Sequence, residues 1–302
     1  MAGKKTKGGK FMIIGKTNSE FLVKEIKDGK RRHTDYEKMK ALGYGASDFQ
    51  QLAYYKSFLI AEASDEEFKE FLTEERLLAE KVGIHINQVH GPWPVHDEIE
   101  EDRPKNVIHM KKCIDGASLL GADSVVYHPV MPEGWGTETD DAFAFSMNVK
   151  VFTEVGLYAR ERGINVAIEN LPFRNISLAR VENLRKLVDE INMPNVGICL
   201  DTGHVLSMKL NLPEAVKVAK EKLFCLHVHD NRGAWDDTHQ VPFLCSGVWY
   251  EFMDALKEIG YKGVLSLESG ATGFSKMPPH LSEMFLKFEA ETAKYLASLM
   301  DE

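Results

Sequence analysis

Six short segments of the chain end in side chains that bind metal ions or move protons: QVHGPW, VVYHPV, AIEN, CLDTGH, LHVHDN and LSLES. The residues concerned are His90, His128, Glu169, Asp201 with His204, His227 with His229, and Glu268. Each alone has an ordinary explanation, because a buried histidine is commonly a hydrogen-bonded core residue and an acid after an apolar run commonly caps a turn. Six of them, each closing a run of the same kind, point to one centre. Ionised carboxylates taken into a protein interior are strongly disfavoured unless cations or protons offset them. A divalent metal does so, and a mixed set of carboxylate oxygen and imidazole nitrogen suits Mn2+, Mg2+, Co2+ or Zn2+. The four cysteines, Cys113, Cys199, Cys225 and Cys245, form no C-x-x-C spacing. Neither a thiolate zinc site nor a disulfide scaffold is indicated.

The runs that carry these residues have to be strands of one sheet. Short β-branched or apolar runs alternate with helix-like segments, and the expected strands are 11–15, 46–51, 84–91, 124–130, 165–170, 196–201, 223–230 and 263–269. Strand and helix in alternation indicate a parallel α/β sheet. Eight such units in 302 residues fit one (β/α)8 TIM barrel domain over residues 11–302. An open doubly wound sheet would need a glycine-rich phosphate turn after its first strand, and FMIIGKTNSE has none. A barrel brings every strand end to one axis at its carboxyl-terminal face. Strand parity then orients the acids, since residues i and i+2 share a face. Glu169 lies with Ala167 and Asn165, Asp201 with Cys199 and Gly197, and Glu268 with Ser266 and Val264. These companions are mostly small, whereas the opposite faces carry Val166, Ile168, Ile198, Leu200, Leu265 and Leu267. The three carboxylates are therefore expected to face the barrel interior.

The helices are equally patterned. Ser64 and Glu67 have capping-box spacing, followed by a stripe of Phe68, Phe71, Leu72, Leu78, Ala79 and Val82. Leu178, Val181, Leu184, Val188 and Ile191 form another stripe, and Phe285, Phe288, Tyr295, Leu296 and Leu299 read as the inward face of a closing helix. Gly43, Gly83, Gly121, Gly163 and Gly260 stand where left-handed helix caps are needed. At 44% hydrophobic and 27% charged residues, the composition is that of a soluble globular protein. Its apolar runs fall far short of the ~18 residues of a membrane span. Residues 1–10, MAGKKTKGGK, carry four lysines and no signal-like apolar stretch, so a disordered basic tail and a cytoplasmic location are expected. The net charge of −9 disfavours a nucleic-acid partner. A homo-oligomer is compatible with all of this.

Taken in order, GADSVVYHP, NVAIEN, VGICLDTGH, HVHDN followed by DDTH, and GVLSLES resemble the xylose isomerase-like TIM barrel superfamily. That superfamily includes sugar and sugar-phosphate isomerases and epimerases, inosose dehydratase and apurinic endonuclease IV. The resemblance covers about residues 83–269. It implies one divalent metal ion, Mn2+ first and Mg2+, Co2+ or Zn2+ as alternatives, held by Glu169, Asp201, His227 and Glu268, with His204 on a substrate oxygen. His227 rather than His229 matches the H-x-x-D form of the motif, which ends at Asp230. The endonuclease branch uses three zinc ions, and its pattern adds His90, His128, His204, Asp237 and His239, all present here. The sequence departs from both branches after DDTH, where QVPFLCSGVW replaces a glycine-rich continuation.

The function implied is an isomerase or epimerase acting on a small carbohydrate, phosphorylated or not. Glu169 and Glu268 would remove and return a proton next to a carbonyl through an enediolate. Loss of a β-hydroxyl from the same intermediate would make the site a dehydratase or lyase on a keto sugar or cyclitol; a trinuclear-zinc apurinic-site endonuclease is the third reading. Around the metal set, His90, His128, His204, His229, Asp237 and His239 are expected to contact substrate. Trp93, Trp135 and Trp235 fall in loops on the same side and could stack on a sugar ring. Arg174 and Arg232 could hold an anionic group by paired hydrogen bonds.

Overall fold

The computed structural model describes residues 12–25, 31–92, 103–131, 140–270 and 276–301. The expected basic tail at residues 1–10 lies outside them. In chain order the strands are β1 (Ile14–Thr17), β2 (Leu22–Glu25), β3 (Arg32–Thr34), β4 (Ala46–Phe49), β5 (His85–His90), β6 (Ser124–Tyr127), β7 (Asn165–Glu169), β8 (Val196–Asp201), β9 (Leu223–His227) and β10 (Leu265–Leu267). The helices are α1 (Tyr36–Leu42), α2 (Phe58–Ala61), α3 (Asp65–Val82), α4 (Arg103–Leu120), α5 (Asp141–Arg160), α6 (Val181–Ile191), α7 (Thr202–Ser207), α8 (Leu212–Ala219), α9 (Trp249–Glu258) and α10 (Pro279–Ser298).

Eight strands form one parallel sheet in the order β10-β1-β4-β5-β6-β7-β8-β9. A parallel bridge between Val228 and Leu267 joins its two ends, with Val228 donating to the Ser266 carbonyl at 2.8 Å and Glu268 donating to the Val228 carbonyl at 3.0 Å. The sheet is thereby rolled into the expected single-domain TIM barrel. Several ladders stop sooner than the apolar runs do. His128, His229 and Glu268 lie just past β6, β9 and β10, where the chain leaves the ladder and side chains can turn over the barrel mouth.

The large apolar cluster lies between the outer strand faces and the helices, and it includes Val166, Ile168, Ile198, Leu200, Leu265 and Leu267. Inside the barrel the apolar material is a separate, thin group of Val126, Ala167, Cys199 and Cys225. The parity reading holds: small residues inside leave room at the axis for polar groups. The Ser64–Glu67 capping box forms in full. Gly43 and Gly83 end α1 and α3 in the left-handed conformation.

Two features differ from expectation. The closing helix α10 turns Leu286, Glu289, Ala290, Ala293 and Leu296 inward and leaves Phe288 and Tyr295 at the surface. Counting only apolar residues misplaces the stripe, because the inward face contains Glu289, fully buried against the equally buried Lys16 of β1 (3.1 Å). Lys16 also donates to the Ser269 carbonyl. The second feature is the antiparallel hairpin β2–β3, which none of the expected strands covers. Glu75 of α3 anchors it. Its buried carboxylate accepts from the Thr34 hydroxyl and the Tyr36 hydroxyl, both at 2.9 Å, and lies 2.7 Å from His33 Nδ1.

The hydrogen bond to Glu75 raises the His33 pKa, outweighing the opposing effect of partial burial. A raised histidine pKa stabilises the fold fully below about pH 6.5, and the contribution is lost as pH rises through the folded-state value. His33→Gln is therefore expected to lower stability by about 1 kcal/mol or less, and more so near pH 6 than near pH 9, in urea unfolding. Equal losses at the two pH values would show that the imidazolium contributes nothing.

Candidate functional site

At the carboxyl-terminal face the barrel opens into a cavity of about 280 Å³. Its polar wall is made by His90, His128, Glu169, His204, Asp237, His239 and Glu268, and its apolar wall includes Ala53, Leu171 and Phe173. Four side chains from four strand ends meet at its floor: one ligand atom each from Glu169, Asp201, His227 and Glu268 lies within 4.8 Å of the others. His227 Nδ1 is 2.9 Å from Glu169 Oε1 and 3.2 Å from Glu268 Oε2. One nitrogen cannot give a proton to both carboxylates, so this donor set is better matched to a cation than to hydrogen bonds alone.

Local structure fixes each group. Asp201 ends β8 and caps the short helix α7, its Oδ1 accepting from the His204 backbone N–H at 2.6 Å. Three histidines are oriented by main-chain carbonyls. Nδ1 of His90 lies 2.9 Å from Gly91 O, that of His204 2.7 Å from Asn170 O, and that of His239 2.7 Å from Glu268 O. With Nδ1 of each committed to the main chain, Nε2 is the nitrogen turned toward the site. Those nitrogens face acids: His90 Nε2 is 3.5 Å from Glu169 Oε2, and His204 Nε2 and His239 Nε2 are each 3.5 Å from Asp237 Oδ1. His128 Nε2 adds a contact of 3.1 Å to Glu169.

Burial alone would raise the Glu169 carboxyl, but the rings of His227 and His128 hold it well below the usual carboxylate range. Glu268 behaves differently. Although 18% of its side chain still meets the cavity, desolvation pushes it up to about 7, against the pull of His227 and with the repulsion of Glu169 and Asp201. Two carboxylates on one nitrogen thus have opposite tendencies. Burial takes His128 down to about 4 despite Glu169, and takes His239 to about 4 with the help of His229. Neutral imidazoles of this kind retain a lone pair for a ligand.

The remaining expected residues are distributed unevenly. His229 is fully buried behind the cavity wall: its Nε2 is 3.0 Å from Asp201 Oδ1, and its ring stacks on His239 with centroids 3.8 Å apart. Burial works against its charge, yet Asp201 raises its pKa to about 9. Arg174 does not line the cavity; its guanidinium lies over the exposed Trp235 ring, 4.5 Å from the centroid. Arg232 is exposed on the loop after β9 and is likewise absent from the wall. Trp93 and Trp135 lie outside the described residues.

One buried acid of the site was missed. Asp48 of β4 places Oδ2 3.0 Å from His227 Nε2 and accepts from Gln50 at 3.0 Å and Gln88 at 3.2 Å. The parity test that oriented the other acids would have found it, since Ala46, Asp48 and Gln50 repeat the pattern of small residue, then polar ones, on one face.

Residues 36–286 match the family model described as xylose isomerase-like TIM barrel. An uncharacterized protein of Methanocaldococcus jannaschii is 32% identical over 175 residues, covering 56% of this chain and 58% of that relative. The D-psicose 3-epimerase of Enterocloster bolteae is 26% identical over 245 residues, covering 74% of this chain and 78% of the relative. Among solved structures, the IOLI protein with a bound zinc atom superposes with a TM-score of 0.70 at 19% identity, covering 96% of this chain and 98% of that one.

The glycine of D-T-G-H supports the centre from behind. A Cβ at Gly203 would stand 1.9 Å from His229 Cε1, on a ring already held by Asp201 and His239. Gly203→Ala is expected to destabilise the protein by about 1–3 kcal/mol in chemical denaturation. An unchanged midpoint would show that the His229 ring moves aside freely.

Proposed function

The chain belongs to the xylose isomerase-like TIM barrel family, and from that premise we propose that it is a divalent-metal-dependent isomerase or epimerase of a small carbohydrate. The observation that carries this reading is the pair Glu169 and Glu268, two carboxylates of opposite protonation tendency converging on His227 Nδ1 at the floor of a small polar cavity. The name of the Enterocloster bolteae relative, an epimerase of a keto sugar, and the zinc of the IOLI protein are in accord with it.

Glu169, Asp201, His227 and Glu268 would hold the ion, Mn2+ first with Mg2+, Co2+ or Zn2+ as alternatives. When bound, such an ion supplies Lewis-acid polarisation of a carbonyl. The proton chemistry falls to the two glutamates. Glu169 is placed to take a proton from the carbon beside the carbonyl, and Glu268, whose side chain still meets the cavity, is placed to give or take one from the other side. Return to the same carbon from the other carboxylate inverts it, and return to the neighbouring carbon interconverts aldose and ketose. His204, its Nδ1–H committed to Asn170, presents Nε2 to a substrate hydroxyl. Asp237 and His239 lie on the same wall within reach of a second one.

A second reading is favoured by one specific observation. Besides the floor cluster, His90, His128 and Glu169 form one ligand group, and His204, His229, Asp237 and His239 form another. Three groups of this kind would suit the trinuclear-zinc chemistry of an apurinic-site endonuclease.

Incubation of the metal-loaded protein with ketohexoses such as D-psicose in deuterated water should give metal-dependent exchange at the carbon next to the carbonyl. Glu169→Gln and Glu268→Gln should each slow it by about 10²–10⁴-fold. Exchange at the wild-type rate in either variant rules out the glutamate pair. About one metal per chain by elemental analysis supports the isomerase reading, whereas three zinc ions with cleavage of abasic-site DNA would replace it by the second.

A further inference from the structure

His227 is held differently from the other inward histidines. His90, His204 and His239 each use Nδ1 on a backbone carbonyl and turn Nε2 toward the site. His227 is reversed: Nδ1 faces Glu169 and Glu268, while Nε2 meets a side chain, Asp48, at 3.0 Å. We infer that Asp48 is a positioning residue: when an ion displaces the proton of His227 Nδ1, Asp48 holds the remaining proton on Nε2 and so fixes Nδ1 as the metal ligand. This rests on the metal-dependent reading above.

The need for such a residue follows from the neighbours. Carboxylate oxygens lie 2.9 and 3.2 Å from Nδ1 and 3.0 Å from Nε2, so an ion competes for a ring whose two nitrogens both face acids. Without a partner on Nε2, the proton that stays behind could sit on the nitrogen that must face the ion. Only a competing acceptor on the far side of the ring opposes that, and Asp48 is the acceptor there. Its placement is costly for any lesser purpose. Asp48 is fully buried in a barrel that already contains three other inward acids, and the donors that meet Oδ2 besides the imidazole are the neutral carboxamides of Gln50 and Gln88. Gln88 in turn lies 3.3 Å from the Leu226 carbonyl, beside His227 in β9. Groups from β5, from β9 and from Gln50 just past β4 therefore converge on one oxygen, aiming it at the imidazole.

The test is calorimetric titration of the metal-stripped full chain with Zn2+, comparing wild type, Asp48→Asn, His227→Gln and the double variant. Asp48→Asn is nearly isosteric, and circular dichroism checks its fold. It is expected to weaken Zn2+ binding by about 10–100-fold. In the His227→Gln background the same change should matter less than about twofold, because its effect is transmitted through the imidazole. Equal losses in both backgrounds, or no loss, would overturn the inference. A readout without substitution is the ¹⁵N spectrum of Zn2+-loaded, histidine-labelled wild type, in which His227 should show a protonated Nε2 and a metal-bound Nδ1; coordination through Nε2 would also overturn it. Wild type that takes up no divalent metal defeats the functional reading and this inference together, whereas metal uptake insensitive to Asp48→Asn defeats this inference alone.

Discussion

Repulsion among acids is the constraint on which the rest of the molecule depends. Asp48, Glu169, Asp201 and Glu268 come from four strands to one end of one axis, and all but Glu268 are fully or almost fully buried. In a medium of low polarity, such a group of carboxylates persists only if positive charge or donated protons are interleaved with it. Imidazoles supply them here. His227 lies between Asp48, Glu169 and Glu268, His128 and His90 flank Glu169, and His229 faces Asp201. The abundance of histidine at the barrel mouth is thus a condition for the acids to coexist, and the same property makes the centre receptive to a cation.

The scaffold meets this constraint by separating two kinds of packing. Outward strand residues join one large apolar core with the helices, which carries the stability. The inner layer of Val126, Ala167, Cys199 and Cys225 is small and thin, so the polar groups above it are not crowded off the axis. Main-chain carbonyls at the strand ends then orient three of the rings without adding charge, and that economy matters where four carboxylates already compete.

Much of this was legible in the residues. Parity along β7, β8 and β10 orients Glu169, Asp201 and Glu268, because each has small companions on its own face and branched ones on the other. The alternation of runs and helices gives the barrel. What escaped were pairings between distant polar residues, since a periodic reading registers apolar side chains and treats a charge as surface. Glu289 on α10, matched to Lys16, displaced the expected stripe for that reason. Glu75, matched to the β2–β3 hairpin, escaped in the same way, whereas Asp48 lay within reach of the parity test, and only its partner His227 did not. For His229, sequence placed the residue on the correct strand but not its depth, which depends on Gly203 allowing the ring to lie against the backbone of α7.

The closure of the barrel has a mechanical side. Seven neighbouring strand pairs are joined by ladders, but β9 and β10 meet through the single bridge of Val228 and Leu267. His227 precedes that bridge and Glu268 follows it, so the thinnest seam of the cylinder runs between two members of the floor cluster. Any species gripped by both side chains becomes a clasp across the seam, and the hoop as a whole is tightened by whatever occupies its mouth.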